Sequence, residues 1–186
     1  MLTIPNLLTL LRIALIPFFV ASFYLPVSWS NELSAFLFTL AAITDWLDGY
    51  LARRWDQMSA LGAFLDPVAD KLMVAAALIV LVQAHPSIFM VVPAIVIIGR
   101  EITISALREW MAELGERAQV AVSVMGKFKT AAQMVALVLL IYQEDILGVP
   151  IFTIGYVLLY IAVVLTLWSM TLYLQAAWPV LSRDND

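Results

Sequence analysis

Asp45 and Asp48 stand three residues apart and Asp66 and Asp70 four apart, so each pair shares one face if its segment is helical. Both pairs lie in or at the ends of apolar stretches. An ionised carboxylate inside a bilayer costs about 2.5 to 3.5 kcal/mol on insertion scales, and four held together also repel one another, so the group calls for positive charge. The chain has no cysteine and a single histidine, His85. That excludes disulfides, a cysteine nucleophile, thiolate metal sites and any His-rich metal site. An all-oxygen acidic site suits hard cations such as Mg²⁺ or Mn²⁺, and two divalent ions would cancel four carboxylates. The competing reading is that the acids form salt bridges with Arg53, Arg54 and Lys71, which fits poorly with four acids packed in one hairpin against few close cations.

Other polar residues cluster around these acids in the chain. Gly49, Ala52 and Gly62 lack bulky side chains, which suits close approach of a substrate to the backbone, although small residues also serve helix packing in membranes. Arg53 and Arg54 follow at the interface, where Arg54 is equally suited to anchoring in headgroups. Arg100, Arg108, Lys127 and Lys129 form a basic cluster suited to an anionic substrate, or to an interfacial belt of snorkelling side chains partly neutralised by Glu101, Glu109 and Glu113. Asn6, Thr9 and Arg12 recur every three residues along one face of the first apolar run, placed either to meet a ligand or to satisfy other helices. His85 falls in a short connection and is expected to be solvated. The tryptophans, Trp29, Trp46, Trp55, Trp110, Trp168 and Trp178, lie mostly near span ends, as an aromatic belt does. Leu107 to Gln119 mixes acids, bases and apolar residues and is expected along the membrane interface.

The elements that must position these groups follow from composition. Of 186 residues, 63% are apolar and 13% charged, and the mean hydropathy is +0.96; soluble domains are closer to half apolar and a quarter charged. At about 20 apolar residues per span, the expected fold is an all-α polytopic membrane protein with six transmembrane helices. These run from about Ile4 to Tyr24, Leu33 to Leu51, Asp66 to Val82, Ile88 to Leu107, Val122 to Tyr142 and Pro150 to Leu174. Such a chain forms one membrane domain over 1–186. Pro5 and Pro150 suit first turns, while Pro17 and Pro93 fall inside spans. Asp66-Pro67 resembles an N-cap and first-turn proline, with an earlier helix start as the alternative. The first run carries Arg12 and lacks a basic leader, so it reads as a retained helix rather than a cleaved signal peptide. All ten Lys and Arg residues border the second and fourth connections and the two tails. The positive-inside rule therefore puts both termini and the aspartates at the cytoplasmic face.

The arrangement Asp45-x2-Asp48-Gly49-x2-Ala52-Arg53-x8-Gly62-x3-Asp66-x3-Asp70 resembles the full signature of the CDP-alcohol phosphotransferases, with eight identities at fixed spacing and no departure from the family pattern. The likeness extends to IPNLLTLLR at the start, REITISALREWMAELG after the fourth span and VSVMGKFKTAAQM entering the fifth. The resemblance implies an enzyme that holds two divalent cations, Mg²⁺ or Mn²⁺, with Asp45, Asp48, Asp66 and Asp70. Asp70 then also takes the acceptor's proton. Gly49, Ala52, Arg53, Ser59 and Gly62 would line a CDP-diacylglycerol site, joined by Asn6, Thr9 and Arg12. The implied acceptor is sn-glycerol 3-phosphate, held by Arg100, Arg108, Lys127 and Lys129. The expected location is a bacterial cytoplasmic membrane, and the expected partners are these two substrates and membrane lipid, with no nucleic acid. Oligomeric state stays open, a homodimer among the options.

Two alternatives stand beside this. A divalent-cation transporter also places carboxylates in membranes, but it normally does so near the midplane and with inverted repeats; here the acids gather towards one face and no repeat is visible. Within the enzyme class, the sister acceptors are inositol phosphate, phosphatidylglycerol and serine. The basic cluster favours a phosphorylated acceptor over serine, but charge alone does not separate glycerol phosphate from inositol phosphate.

Overall fold

The computed structural model describes the backbone of residues 3–113 and 124–181, and side chains over 3–113 and 128–178. These residues form α1 (Ile4–Phe23), α2 (Ser30–Arg54), α3 (Ala60–Ala84), α4 (Ile88–Glu113), α5 (Val124–Tyr142) and α6 (Ile151–Leu181). No strand occurs among the described residues, only an isolated bridge between Ile146 and Val149 in the α5–α6 turn. Three helices are long and apolar enough to cross a membrane, α1, α4 and α6 as far as Trp178; Phe128–Tyr142 of α5 is a shorter apolar helix. α2 and α3, at 25 residues each, reach roughly 37 Å at 1.5 Å per residue, against a hydrocarbon core of about 30 Å. Large apolar side chains such as Phe18, Phe36, Ile79, Phe89, Ile95 and Val164 point outward. A face this apolar belongs in lipid, and the chain is a polytopic membrane protein.

Local chemistry sets the helix ends that matter for the site. At the start of α1 the Thr3 hydroxyl accepts from the Asn6 N–H, with Pro5 in the first turn, where its missing N–H costs nothing. α2 stops at Arg54 because Asp56 takes a left-handed φ of 52° and the Gln57 N–H turns back to the Ala52 carbonyl at 3.0 Å. That is a Schellman closure, with aspartate in the position glycine usually fills. α3 begins at Ala60, capped by Ser59, whose hydroxyl accepts from the Gly62 N–H at 3.0 Å. The expected start at Asp66 is therefore wrong: Pro67 lies inside the helix, where it forfeits a backbone hydrogen bond. α4 also runs unbroken past Leu107 to Glu113, so that part of the expected interfacial segment continues the helix; 114–119 lie outside the described residues.

Helix association in lipid depends on close packing and hydrogen bonds, because lipid tails are as apolar as leucine. The core is built from Phe19 and Phe38, with ring centroids 5.8 Å apart, and from Leu78, Leu81, Met90, Ile97, Leu137, Leu140 and Leu159. α5 and α6 approach so closely at Gly155 that a Cβ there would sit 3.0 Å from side-chain atoms of Leu139 and Leu140. α1 packs extensively on both α2 and α3, which touch each other little, so it fills the angle of the aspartate hairpin. At the far end, His85 is half-buried, not solvated as expected: its ring lies 4.6 Å from that of Phe152, and its side chain hydrogen-bonds Gln143. Burial pushes its pKa below the usual histidine value, partly offset by that hydrogen bond.

Candidate active site

Two side chains of α1, one turn apart, gather all four aspartates. The buried Arg12 guanidinium is 2.8 Å from Asp45 Oδ1 through Nη1 and also bonds Asp70 through Nη1 and Asp48 through Nη2. The Thr9 hydroxyl lies 2.8 Å from Asp66 Oδ1 and 3.1 Å from Asp48 Oδ2; with one proton to donate, it serves one carboxylate at a time. The polar stripe of α1 thus meets other helices. Among the described residues, the acids' partner is Arg12 and not the Arg53, Arg54 and Lys71 of the salt-bridge reading. Arg53 is exposed, with its guanidinium 3.5 Å from where a Gly49 Cβ would stand. Arg54 donates to Tyr50 Oη at 2.6 Å and lies 5.8 Å from that ring's centroid.

One guanidinium against four carboxylates leaves the group strongly negative. Asp48 is buried, while Asp45 and Asp70 keep nearly half of their side-chain surface open. Four carboxylates on one spot, free of sulfur and imidazole, are the donor set of a hard divalent ion, and the residues fit such a group by their chemistry. As placed, Asp45, Asp48 and Asp70 are drawn around Arg12 and Asp66 is held by Thr9; among the described residues no three acids close into a ligand cluster.

Beside this spot, Ser59 Oγ donates to Asn6 Oδ1 at 2.8 Å while accepting from the Gly62 N–H. A Cβ on Gly62 would fall 2.8 Å from Asn6 Oδ1 and 3.2 Å from Ser59 Oγ. Glycine at 62 therefore suits the α1–α3 junction itself, where a larger residue would have to push the Asn6 side chain aside. At Gly49 an added Cβ meets only ordinary contacts, so protein packing does not explain that glycine. Ala52 is half-buried, and its carbonyl closes the end of α2.

The basic cluster reaches the same place from the other side. A cavity of about 340 Å³ is lined by Arg12, Asp45, Asp70 and Lys71 and equally by Arg100, Glu101, Arg108, Lys129 and Gln133. Arg100 and Lys129 are each only 8% exposed; so deep a placement is not that of snorkelling side chains. Glu101 Oε1 lies 3.0 Å from Arg100 Nη2 and 3.8 Å from Lys129 Nζ. Arg100 Nε nevertheless has no hydrogen-bond partner among the described residues, which leaves a donor for an anion. Arg108 is exposed, held by Tyr173 Oη at 2.6 Å with its charge 5.0 Å from the ring centroid. Lys127 lies on α5, but its side chain is outside those described. Sequence reasoning passed over Gln133, although a polar residue four positions after Lys129 in an apolar helix shares its face.

Related bacterial proteins match most of the chain. A protein of Shigella flexneri serotype 5b is 56% identical over 174 residues, 94% of each chain, and one of Pectobacterium atrosepticum is 57% identical over the same span. A Pseudomonas fluorescens protein is 56% identical over 98% of this chain and 93% of its own. All three are named CDP-diacylglycerol–glycerol-3-phosphate 3-phosphatidyltransferase. The sequence pattern described as CDP-alcohol phosphatidyltransferase covers residues 2–168. With the aspartate hairpin intact inside that match, the chain belongs to the CDP-alcohol phosphatidyltransferase family.

Proposed function

We propose that this chain transfers the phosphatidyl group of CDP-diacylglycerol to sn-glycerol 3-phosphate, giving phosphatidylglycerol phosphate and CMP, the reaction named for its relatives. The observation that carries the reading is one cavity joining Asp45 and Asp70 to Arg100 and Lys129. Acids that can hold cations and cations that can hold an anionic acceptor open into the same space.

Asp45, Asp48, Asp66 and Asp70 would hold two divalent ions, Mg²⁺ or Mn²⁺, whose charge neutralises the pyrophosphate when they are bound. Gly49, Ala52, Arg53 and Ser59 border the nucleotide, with Gly62 and Asn6 supporting Ser59. Arg100 and Lys129, with the more exposed Arg108, take the acceptor's phosphate by charge-assisted hydrogen bonds, and Lys127, two residues before Lys129 in the sequence, is proposed to join them. A half-open carboxylate at Asp70 accepts the proton of the attacking hydroxyl. That oxygen bonds to the β-phosphorus, the bond to the α-phosphate breaks, and CMP leaves. Arg12 and Thr9 hold the carboxylates in place from α1.

The soluble acceptor reaches the site from the cytoplasm while the diacylglycerol tails stay in lipid. In this reading the protein acts as one domain in a bacterial inner membrane with both termini inside. The test is incubation of purified protein with CDP-diacylglycerol, Mg²⁺ and separate alcohols: glycerol 3-phosphate, inositol phosphate, serine and phosphatidylglycerol. CMP release with glycerol 3-phosphate is expected. Release with one of the other alcohols only would assign the chain to a sister reaction.

A further inference from the structure

We propose that Gln133 is a specificity-determining residue, whose amide oxygen receives the acceptor hydroxyl that does not react. The inference rests on the glycerol 3-phosphate reading and adds to it a residue that reads the acceptor's carbon chain. Gln133 is 5% exposed and lines the cavity shared by Asp70, Arg100 and Lys129. Its Oε1 is buried with no hydrogen-bond partner among the described residues. Buried polar atoms are almost always paired, and an orphaned one in a cavity wall is explained by a group that enters the cavity. On α5, Gln133 stands one turn from Lys129 and on the same face.

The chemistry of the acceptor supplies the missing donor. sn-Glycerol 3-phosphate carries its phosphate on C3, a reacting hydroxyl on C1 and a spectator hydroxyl on C2 between them. With the phosphate on Arg100 and Lys129 and the C1 hydroxyl directed to Asp70, the C2 hydroxyl is left to the rest of the lining that these groups share, of which Gln133 is part. An amide oxygen suits this task, because it accepts a hydrogen bond but does not titrate and so does not compete with Asp70 for the reacting proton. An acceptor without the C2 hydroxyl would leave Oε1 unpaired on binding, and sites built this way reject the deficient analogue strongly.

The test compares sn-glycerol 3-phosphate with 3-hydroxypropyl phosphate, which lacks only the C2 hydroxyl, in the wild-type protein and in Gln133→Met. CMP release gives kcat/KM for each acceptor, and the ratio within one protein cancels differences in folded fraction. The wild type is expected to prefer glycerol 3-phosphate by up to about 100-fold, as leaving one buried neutral acceptor unpaired would produce. In Gln133→Met that preference should fall below about tenfold, the loss confined to glycerol 3-phosphate and KM for CDP-diacylglycerol unchanged. A preference kept at its wild-type value overturns the inference, as does an equal loss with both acceptors, because a group that reads the C2 hydroxyl has no bond to lose with an acceptor lacking it. A wild type that turns over neither acceptor would instead overturn the reaction beneath the inference.

Discussion

Arg12 answers three carboxylates, those of Asp45, Asp48 and Asp70, with one charge, and its pairing with Asp48 is the part taken furthest from water. Removing one member of a buried ion pair typically costs about 3 to 5 kcal/mol, because its partner stays charged and unpaired. Asp45 and Asp70 are nearly half open to solvent, so they soften the loss, and Arg12→Met is expected at the lower end of that range as a reduced melting temperature in detergent. Asp48→Asn added to Arg12→Met should recover part of the loss, because the orphaned charge goes with it; additive losses would mean the pair is not coupled. Activity should respond differently. Asp45→Asn, Asp48→Asn, Asp66→Asn and Asp70→Asn each remove a charge at nearly constant volume, so each is expected to abolish CMP release from a protein that still folds. Normal turnover at saturating Mg²⁺ by any one of them removes that residue from the site.

α1 positions the other two helices of the site, and its contacts were the least legible part of the sequence. The acid spacing on α2 and α3 was readable because helical periodicity alone puts Asp45 with Asp48 and Asp66 with Asp70. Periodicity also placed Asn6, Thr9 and Arg12 on one face, but it carries no information on which neighbour that face meets; the insertion of α1 between α2 and α3 is a tertiary choice. The start of α3 was misread because Asp66-Pro67 imitates a helix start, while the true cap, Ser59, shows its function only through the Gly62 N–H and Asn6. That junction can be tested directly. Gly62→Ala pushes a Cβ to 2.8 Å from Asn6 Oδ1, and overpacking of this kind costs about 1 to 3 kcal/mol. Asn6→Ala removes the obstructing atom, so Asn6→Ala/Gly62→Ala should be more stable than the sum of the single changes predicts. Strict additivity in melting experiments would show that the two residues do not meet.

Across the whole molecule, charge and connectivity give the same orientation. Helix order puts the α1–α2, α3–α4 and α5–α6 connections at one end, and contacts support this for two of them: His85 and Ser87, between α3 and α4, meet Phe152 and Tyr156 of α6, while His85 also bonds Gln143. None of these three connections carries a lysine or arginine, whereas Arg53 and Arg54 end α2 at the opposite end, beside the aspartates. The positive-inside rule acts on short connections such as these, so the end without lysine or arginine should face the cell exterior or periplasm. The absence of native cysteine gives single-cysteine labelling a clean background. Leu147, at the tip of the α5–α6 turn, is 99% exposed, and Met58, between α2 and α3, is 77% exposed, so both positions are open to reagent. Leu147→Cys and Val27→Cys are expected to react with a membrane-impermeant maleimide in intact cells, and Met58→Cys only after the cells are permeabilised. The reverse pattern would put the aspartates outside, away from a cytoplasmic acceptor, and would contradict the orientation and the route proposed for glycerol 3-phosphate together.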